Sequence, residues 1–171
     1  MVDTNLFVSK AKKGDKEALI KLIVDDRDNY YRLAYSYLKN EHDAMDAVSE
    51  MTLILYDNIM SLKDTSKFYS WSKTILVNLC KKELKARSKF VNMDDLGEFK
   101  TQVNESLEDK IDIENYLSRL SQKHQDVIRL RYFLDMDYST ISQVLKIPLG
   151  TVKSRVNTSI EKLRGMIGGD Q

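Results

Sequence analysis

The sequence predicts an all-α protein built as two small helical domains joined by an acidic, flexible linker, the second domain a helix-turn-helix. Three observations predict it. One proline and six glycines in 171 residues leave few breaks in the chain. Apolar residues return at three-and-four spacing, the period of a helix with one buried face. The β-branched alternation that a half-buried strand needs is absent.

The chain is 42% hydrophobic, enough for a core, and its net charge of +1 excludes a generic polyanion binder. The charge is segregated, however. Residues 67–89 hold seven Lys/Arg against one acid and 146–164 hold five against one, whereas 90–114 hold eight acids against two lysines. Cys80 is alone, which excludes an internal disulfide, and His42 and His124 are too few and too far apart for a zinc set. The first residues lack the apolar run of a signal peptide and no segment is long enough for a membrane span, so a soluble cytoplasmic protein is expected.

Taken in order, helices are expected at 3–13, 15–25 and 28–39, the last with Tyr30, Leu33, Ala34, Tyr37 and Leu38 inward. "KNEH" then breaks the run. From Asp43 a long helix carries Ala44, Ala47, Val48, Met51, Leu55, Ile59 and Leu62 on one stripe, a full core face. "KDTSK" at 63–67 reads as a loop, and a further helix runs from near Phe68 through Trp71, Ile75 and Leu79 to about Lys89. Periodicity fades over 90–111, where acids, Asn and Gln prevail, so this stretch is expected to link a domain at 1–89 to one at 112–171. Helices at about 112–119, 121–134, 137–146 and 148–166 complete the chain.

The last pair carries a motif. Asp137 is placed to cap "YSTISQVLK", a short turn follows at Lys146 and Ile147, and Pro148 suits the first position of the next helix, where its missing N–H has no acceptor anyway. On that helix Val152, Val156, Ile160 and Leu163 share one side and Ser154 points away from it, flanked by Lys153 and Arg155. A tight turn before a helix with basic and small polar residues outward describes a helix-turn-helix. Lys153 and Arg155 would then hold phosphates while Ser154, Asn157 and Thr158 meet base edges. The alternative is an ordinary surface helix with solvated cations.

A second pattern lies between residues 71 and 85. Trp71, Thr74, Asn78, Lys81 and Lys85 are spaced 3, 4, 3 and 4, one stripe of aromatic, amide and cationic groups, which is what an unpaired strand needs for stacking, edge contacts and backbone charge. Trp71 beside Phe68 and Ile75 also has a plain reading as a core residue. A third pattern, Asp46, Glu50, Leu53 and Asp57, forms a stripe of acids around a leucine beside the core face of its helix.

These residues resemble a known family. "LSRLSQKHQDVIRLRYFLDMDYSTISQVLKIPLGTVKSRVNTSIEKLR" is similar to the promoter-binding C-terminal domain of extracytoplasmic-function sigma factors, and Gly150 through Arg155 match the "GTVKSR" that opens its recognition helix. "YRLAYSYLKNEHDAMDAVSE" resembles the stretch with which sigma factors grip core RNA polymerase, matching at Asp43, Ala44, Asp46 and Glu50, with Ser49 in place of a glutamine. "FYSWSKTILVNLCKKELKARSK" resembles the helix that melts and reads the minus-ten element, matching at Phe68, Trp71, Ile75 and Asn78, with Ser72, Lys82 and Lys85 standing where the family often has Leu, Asp and Arg.

The resemblance implies a sigma factor with three surfaces. Asp43, Asp46, Glu50, Leu53 and Asp57 would bind core RNA polymerase. Lys67, Trp71, Thr74, Asn78, Lys81, Lys82 and Lys85 would take the melted minus-ten DNA, and Thr151, Lys153, Ser154, Arg155, Asn157 and Thr158 the duplex minus-thirty-five element. It also implies an anti-sigma factor, often membrane-tethered, as a partner. The rival reading is a helix-turn-helix regulator that binds duplex DNA without polymerase. An enzyme is not expected, since no metal set, activated nucleophile or glycine-rich phosphate loop is visible, and so neither is a cofactor or a small-molecule substrate.

Overall fold

The computed structural model describes residues 3–91 and 108–169. They are helical with no strand among them, and they form two compact units, the body of the first made by α1 to α5 and that of the second by α6 to α9. The flexible linker expected over 90–111 falls, for residues 92–107, outside the described residues.

The first unit begins with a helical hairpin. Asp3 caps α1 (Thr4–Lys12) by accepting the Leu6 N–H at 3.1 Å, and Asp15 caps α2 (Lys16–Asp25) by accepting that of Ala18 at 3.0 Å. Between them Gly14 turns the chain at a φ of 94°, which only glycine adopts without strain. α3 (Arg27–Leu38) ends at the left-handed Lys39, and Asn40 caps α4 (Glu41–Asn58) through the Asp43 N–H at 3.0 Å. The break at "KNEH" is thus two residues long and α4 starts earlier than expected, because one left-handed residue followed by one cap is enough to reverse the chain. Tight 3₁₀ turns at Ile59–Ser61 and Thr65–Lys67 lead into α5 (Phe68–Val91). The α4 stripe faces inward as its spacing requires: Ala44, Met51 and Leu55 are fully buried and meet Tyr30, Leu33 and Ala34 of α3, with Val8, Leu22, Phe68 and Leu76 completing the core.

One ion pair seats α5. Lys73 Nζ lies 2.8 Å from Asp26 Oδ2, with the two side chains only 13% and 14% exposed. The ammonium also sits 6.0 Å from the Tyr30 ring centre and 5.8 Å from that of Tyr69, so two aromatic faces supply part of the stabilisation that water no longer can. One residue earlier, Ser72 donates to the Tyr69 carbonyl and accepts a hydrogen bond from the buried Tyr30 hydroxyl at 2.7 Å. The sequence reading saw Lys73 only as one cation among many.

The chain continues with α6 (Glu108–Ser118), α7 (Gln122–Ile128), a π-helical turn over Arg129–Phe133, α8 (Tyr138–Leu145) and α9 (Leu149–Gly169). α6 begins four residues before its expected start, inside the acidic stretch. The expected helix at 121–134 widens at Arg129, which is 7% exposed and pairs with Glu114 at 3.4 Å. α9 packs on α7 and α6 around Leu117, Leu120, Val127, Val152 and Val156.

Between α7 and α9 lies a buried polar clasp. Ser159 Oγ donates to the Arg155 carbonyl at 2.6 Å, so its lone pairs are left to accept from His124 Nδ1 at 2.9 Å. Nδ1 also faces the Arg155 carbonyl at 3.4 Å. Both partners are acceptors, which places the neutral ring's proton on Nδ1 and leaves Nε2 as the nitrogen that titrates. Burial lowers the His124 pKa, and the Lys162, Lys123 and Arg155 cations push the same way.

Two outcomes follow from this packing. Lys73→Ala leaves the Asp26 carboxylate buried and unpaired and should destabilise the first unit by about 3 kcal/mol; urea unfolding followed by fluorescence of Trp71, the single tryptophan of the chain, measures it. Because the folded His124 pKa lies below the unfolded value of about 6.5, the clasp's stability is fully present above that pH and falls as the medium becomes more acidic. Amide protection factors in α7 and α9, with the intrinsic pH dependence of exchange divided out, should therefore fall between pH 7.5 and 5.5, and His124→Asn, which retains a donor near Nδ1, should flatten that dependence.

Candidate nucleic-acid interface

The helix-turn-helix is built locally. Asp137 Oδ1 accepts the Thr140 N–H at 2.8 Å and so caps α8 as the sequence suggests, and this bond is the main cause of its lowered pKa. Lys146 then turns left-handed at a φ of 53°. Ser142 closes the turn, its hydroxyl donating to the Ile147 carbonyl at 2.6 Å while its own carbonyl accepts the Ile147 N–H at 3.1 Å. Pro148 stands one place earlier than expected: its carbonyl accepts the Val152 N–H at 3.1 Å, making it the cap of α9 and Leu149 the first helical residue.

On α9, Val152 and Val156 are fully buried and Ile160 and Leu163 half-buried, the side assigned to the core by spacing. Lys153, Ser154, Asn157 and Thr158 are exposed, and Thr151 and Arg155 half-exposed. Ser154 donates to the Thr151 carbonyl at 3.1 Å, which holds its hydroxyl along the helix while its lone pairs remain on the surface. The fully buried Ser159 was missed. Its place seven residues after Val152 and three after Val156, in the middle of the apolar face, was the available signal.

The α5 stripe divides. Asn78, Lys82 and Lys85 are exposed at spacings of four and three, and Lys67, at the foot of the helix, is exposed too. Lys81 is half-exposed. Trp71 is half-buried, its ring 6.3 Å from that of Phe68 and tilted by 58°. Thr74 is 6% exposed, with its hydroxyl donating to the Ser70 carbonyl at 2.9 Å.

On α4, Asp46, Glu50 and Asp57 are exposed and Leu53 is 67% exposed, a large apolar side chain standing among acids. Asp43 differs. It is half-buried and paired with Arg87 of α5, whose Nε also donates to Glu83 at 3.1 Å. Arg87 is absent from the sequence reading; its partners Asp43 and Glu83 line a groove of about 210 Å³ between α4 and α5, together with Asp46, Glu50, Leu79 and Lys82 among others. Cys80 is buried, and burial pushes its thiol up to about 12. Among the described residues no three His, Cys, Asp or Glu side chains come together as metal ligands would, and no helix is long and apolar enough to cross a membrane.

Comparison with known proteins accounts for both units. Residues 22–90 match Sigma-70 region 2 and residues 116–165 match Sigma-70, region 4. The RNA polymerase sigma factor SigV of Bacillus subtilis is 30% identical over 156 residues, spanning 91% of this chain and 94% of its own. The ECF RNA polymerase sigma factor SigW of the same organism is 28% identical over 92% of each chain. Two solved structures share the fold: CnrH, in complex with the cytosolic domain of CnrY, at a TM-score of 0.73 and 17% identity over 98% of this chain and 99% of its own, and the sigma factor RpoE of Bartonella quintana, in complex with the anti-sigma factor NepR, at 0.65 and 20% over 88% and 97%. Two sigma-70 regions in order, with a relative matched over nearly its whole length, leave the lone helix-turn-helix regulator unfavoured: the chain belongs to the extracytoplasmic-function sigma factors and directs promoter recognition by RNA polymerase.

Proposed function

We propose that the three surfaces divide the work of initiation as follows. Asp46, Glu50, Leu53 and Asp57 of α4 seat the protein on core RNA polymerase, with Asp43 holding the margin of that surface through Arg87. Lys67, Asn78, Lys82 and Lys85, with the half-exposed Trp71 and Lys81 beside them, take the unpaired minus-ten strand, while the buried Thr74 lies beneath that surface. Thr151, Lys153, Ser154, Arg155, Asn157 and Thr158 of α9 lie in the major groove at the minus-thirty-five element. The functional division is therefore residues 1–89 for polymerase and melted DNA, and 112–171 for duplex DNA. The protein does no covalent chemistry: binding an opened strand more tightly than a paired one shifts the promoter towards the open state. It works in the cytoplasm, and an anti-sigma factor withholds it from polymerase, as the complexes of CnrH and RpoE suggest.

The observation that carries the minus-ten assignment is the exposed Asn78, an amide able both to donate and to accept, set one turn before Lys82 on the outer face of α5. Duplex pairing hides most of the base edge that such a group reads. Asn78→Ala should leave core binding intact and weaken holoenzyme affinity for the isolated non-template strand by about 1–3 kcal/mol. A bubble that is already melted should show the same loss, since pre-melting cannot replace a missing contact. Equal single-strand affinity would remove Asn78 from the readers.

On α9 the roles separate by salt. Arg155→Ala should weaken minus-thirty-five binding across sequences and flatten the salt slope by about one unit, whereas substitution of Ser154 should change sequence preference. Affinity measured on a set of promoter duplexes at several salt concentrations distinguishes the two.

A further inference from the structure

The segment that leads into α5 is held from outside. At Leu62 the chain leaves a 3₁₀ turn for an extended conformation, so the Leu62 carbonyl has no helical donor ahead of it. Lys12, in the last turn of α1, supplies one: its Nζ lies 2.7 Å from that oxygen, fifty residues away along the chain, and the side chain is half-buried. Three residues beyond, the Thr65 hydroxyl donates to Asn5 Oδ1 at 2.7 Å, again on α1. Between these two ties, Asp64 shapes the loop by accepting the Ser66 N–H at 3.0 Å and the Ser66 hydroxyl at 2.6 Å. α1 packs along both 3₁₀ turns. The loop "KDTSK" is thus a shaped element, tied just before its first residue and again at Thr65, and its charges Lys63, Asp64 and Lys67 are exposed, the last two 3.8 Å apart.

We propose that Lys12, with Asn5 beside it, is a positioning residue for promoter opening: through the Leu62 carbonyl and Thr65 it holds residues 59–67 in the shape that captures the melted strand, and it touches no DNA itself. This rests on the reading above that the 63–89 loop and helix bind the opened minus-ten element. A lysine engaged with a backbone carbonyl has its charge directed into the protein, so it contributes order and not phosphate neutralisation. A loop fixed before binding does not have to be ordered by the DNA, which raises affinity for the strand without adding a contact.

The test uses holoenzyme and three DNAs: duplex promoter, a promoter with a pre-melted minus-ten bubble, and the isolated non-template strand. Lys12→Met keeps the aliphatic stem and removes the donor. It should lower affinity for the single strand and the bubble about three- to tenfold, the size of one net hydrogen bond, with core-polymerase affinity and salt slope unchanged. Lys12→Arg should restore most of the loss. Asn5→Ala, at an exposed position that folding tolerates, should show a smaller loss of the same kind. Lys67→Ala and Asn78→Ala serve as controls for the strand-binding surface. Unchanged single-strand affinity in Lys12→Met and Asn5→Ala while the controls lose it would overturn the brace and leave the minus-ten assignment standing. A salt slope flattened by about one unit in Lys12→Met would also overturn it, by showing a direct phosphate contact. Loss in none of the four variants would overturn both.

Discussion

The outer face of α5, with Asn78, Lys82 and Lys85, depends on how the helix is seated, and the Asp26–Lys73 pair gives that seating its direction. A 24-residue helix on a small bundle can rotate about its own axis at little cost if only apolar side chains hold it, because such contacts are non-directional. An ammonium between a carboxylate and two aromatic rings has one arrangement. With Lys73 directed at Asp26, Asn78 falls five residues on, a rotation of about 140°, and so reaches the surface. The Tyr30 to Ser72 bond repeats the constraint one residue earlier, where a hydroxyl stands in place of the family's usual leucine. The pair resembles other buried ion pairs in that its contribution is to uniqueness of geometry as much as to stability, since desolvation offsets much of the attraction.

The second unit solves the same orientation problem with neutral groups. α9 must present Lys153, Ser154 and Asn157 outward, and its apolar face alone would fix that only approximately. His124 and Ser159 add direction from beneath, joined to the carbonyl of Arg155, the very residue assigned to a phosphate. The backbone of α9 is therefore tied to α7 at the level of its exposed Lys153, Ser154 and Asn157.

Much of this was legible in the sequence. The core stripe of α4, the cap at Asp137, the inward valines of α9 and the outward Ser154 all follow from helical spacing, which reports faces well. What spacing does not report is which polar residues a face absorbs. Lys73, Ser72, Ser159 and Arg129 lie in the interior because particular partners meet them there, and those partners come from helices distant in sequence. Arg87 was overlooked for the same reason, since its link to Asp43 spans 44 residues. The start of α6 and the place of Pro148 were misjudged by a few residues, as helix ends are set by individual hydrogen bonds and not by periodicity. The candidate site was read mainly through motifs, and the structure adds that Thr74 is buried and Trp71 half-buried where Asn78 is exposed.

The choice of an ion pair to seat α5 has a consequence for warming. The hydration of charged groups carries a strongly negative entropy, so the penalty for withdrawing Asp26 and Lys73 from water diminishes as temperature rises, while stabilisation from apolar burial levels off. The orientation of α5 thus rests on a contact whose relative weight increases under heat. As the apolar contribution levels off, the direction in which Asn78 leaves α5 is kept by the contact least affected.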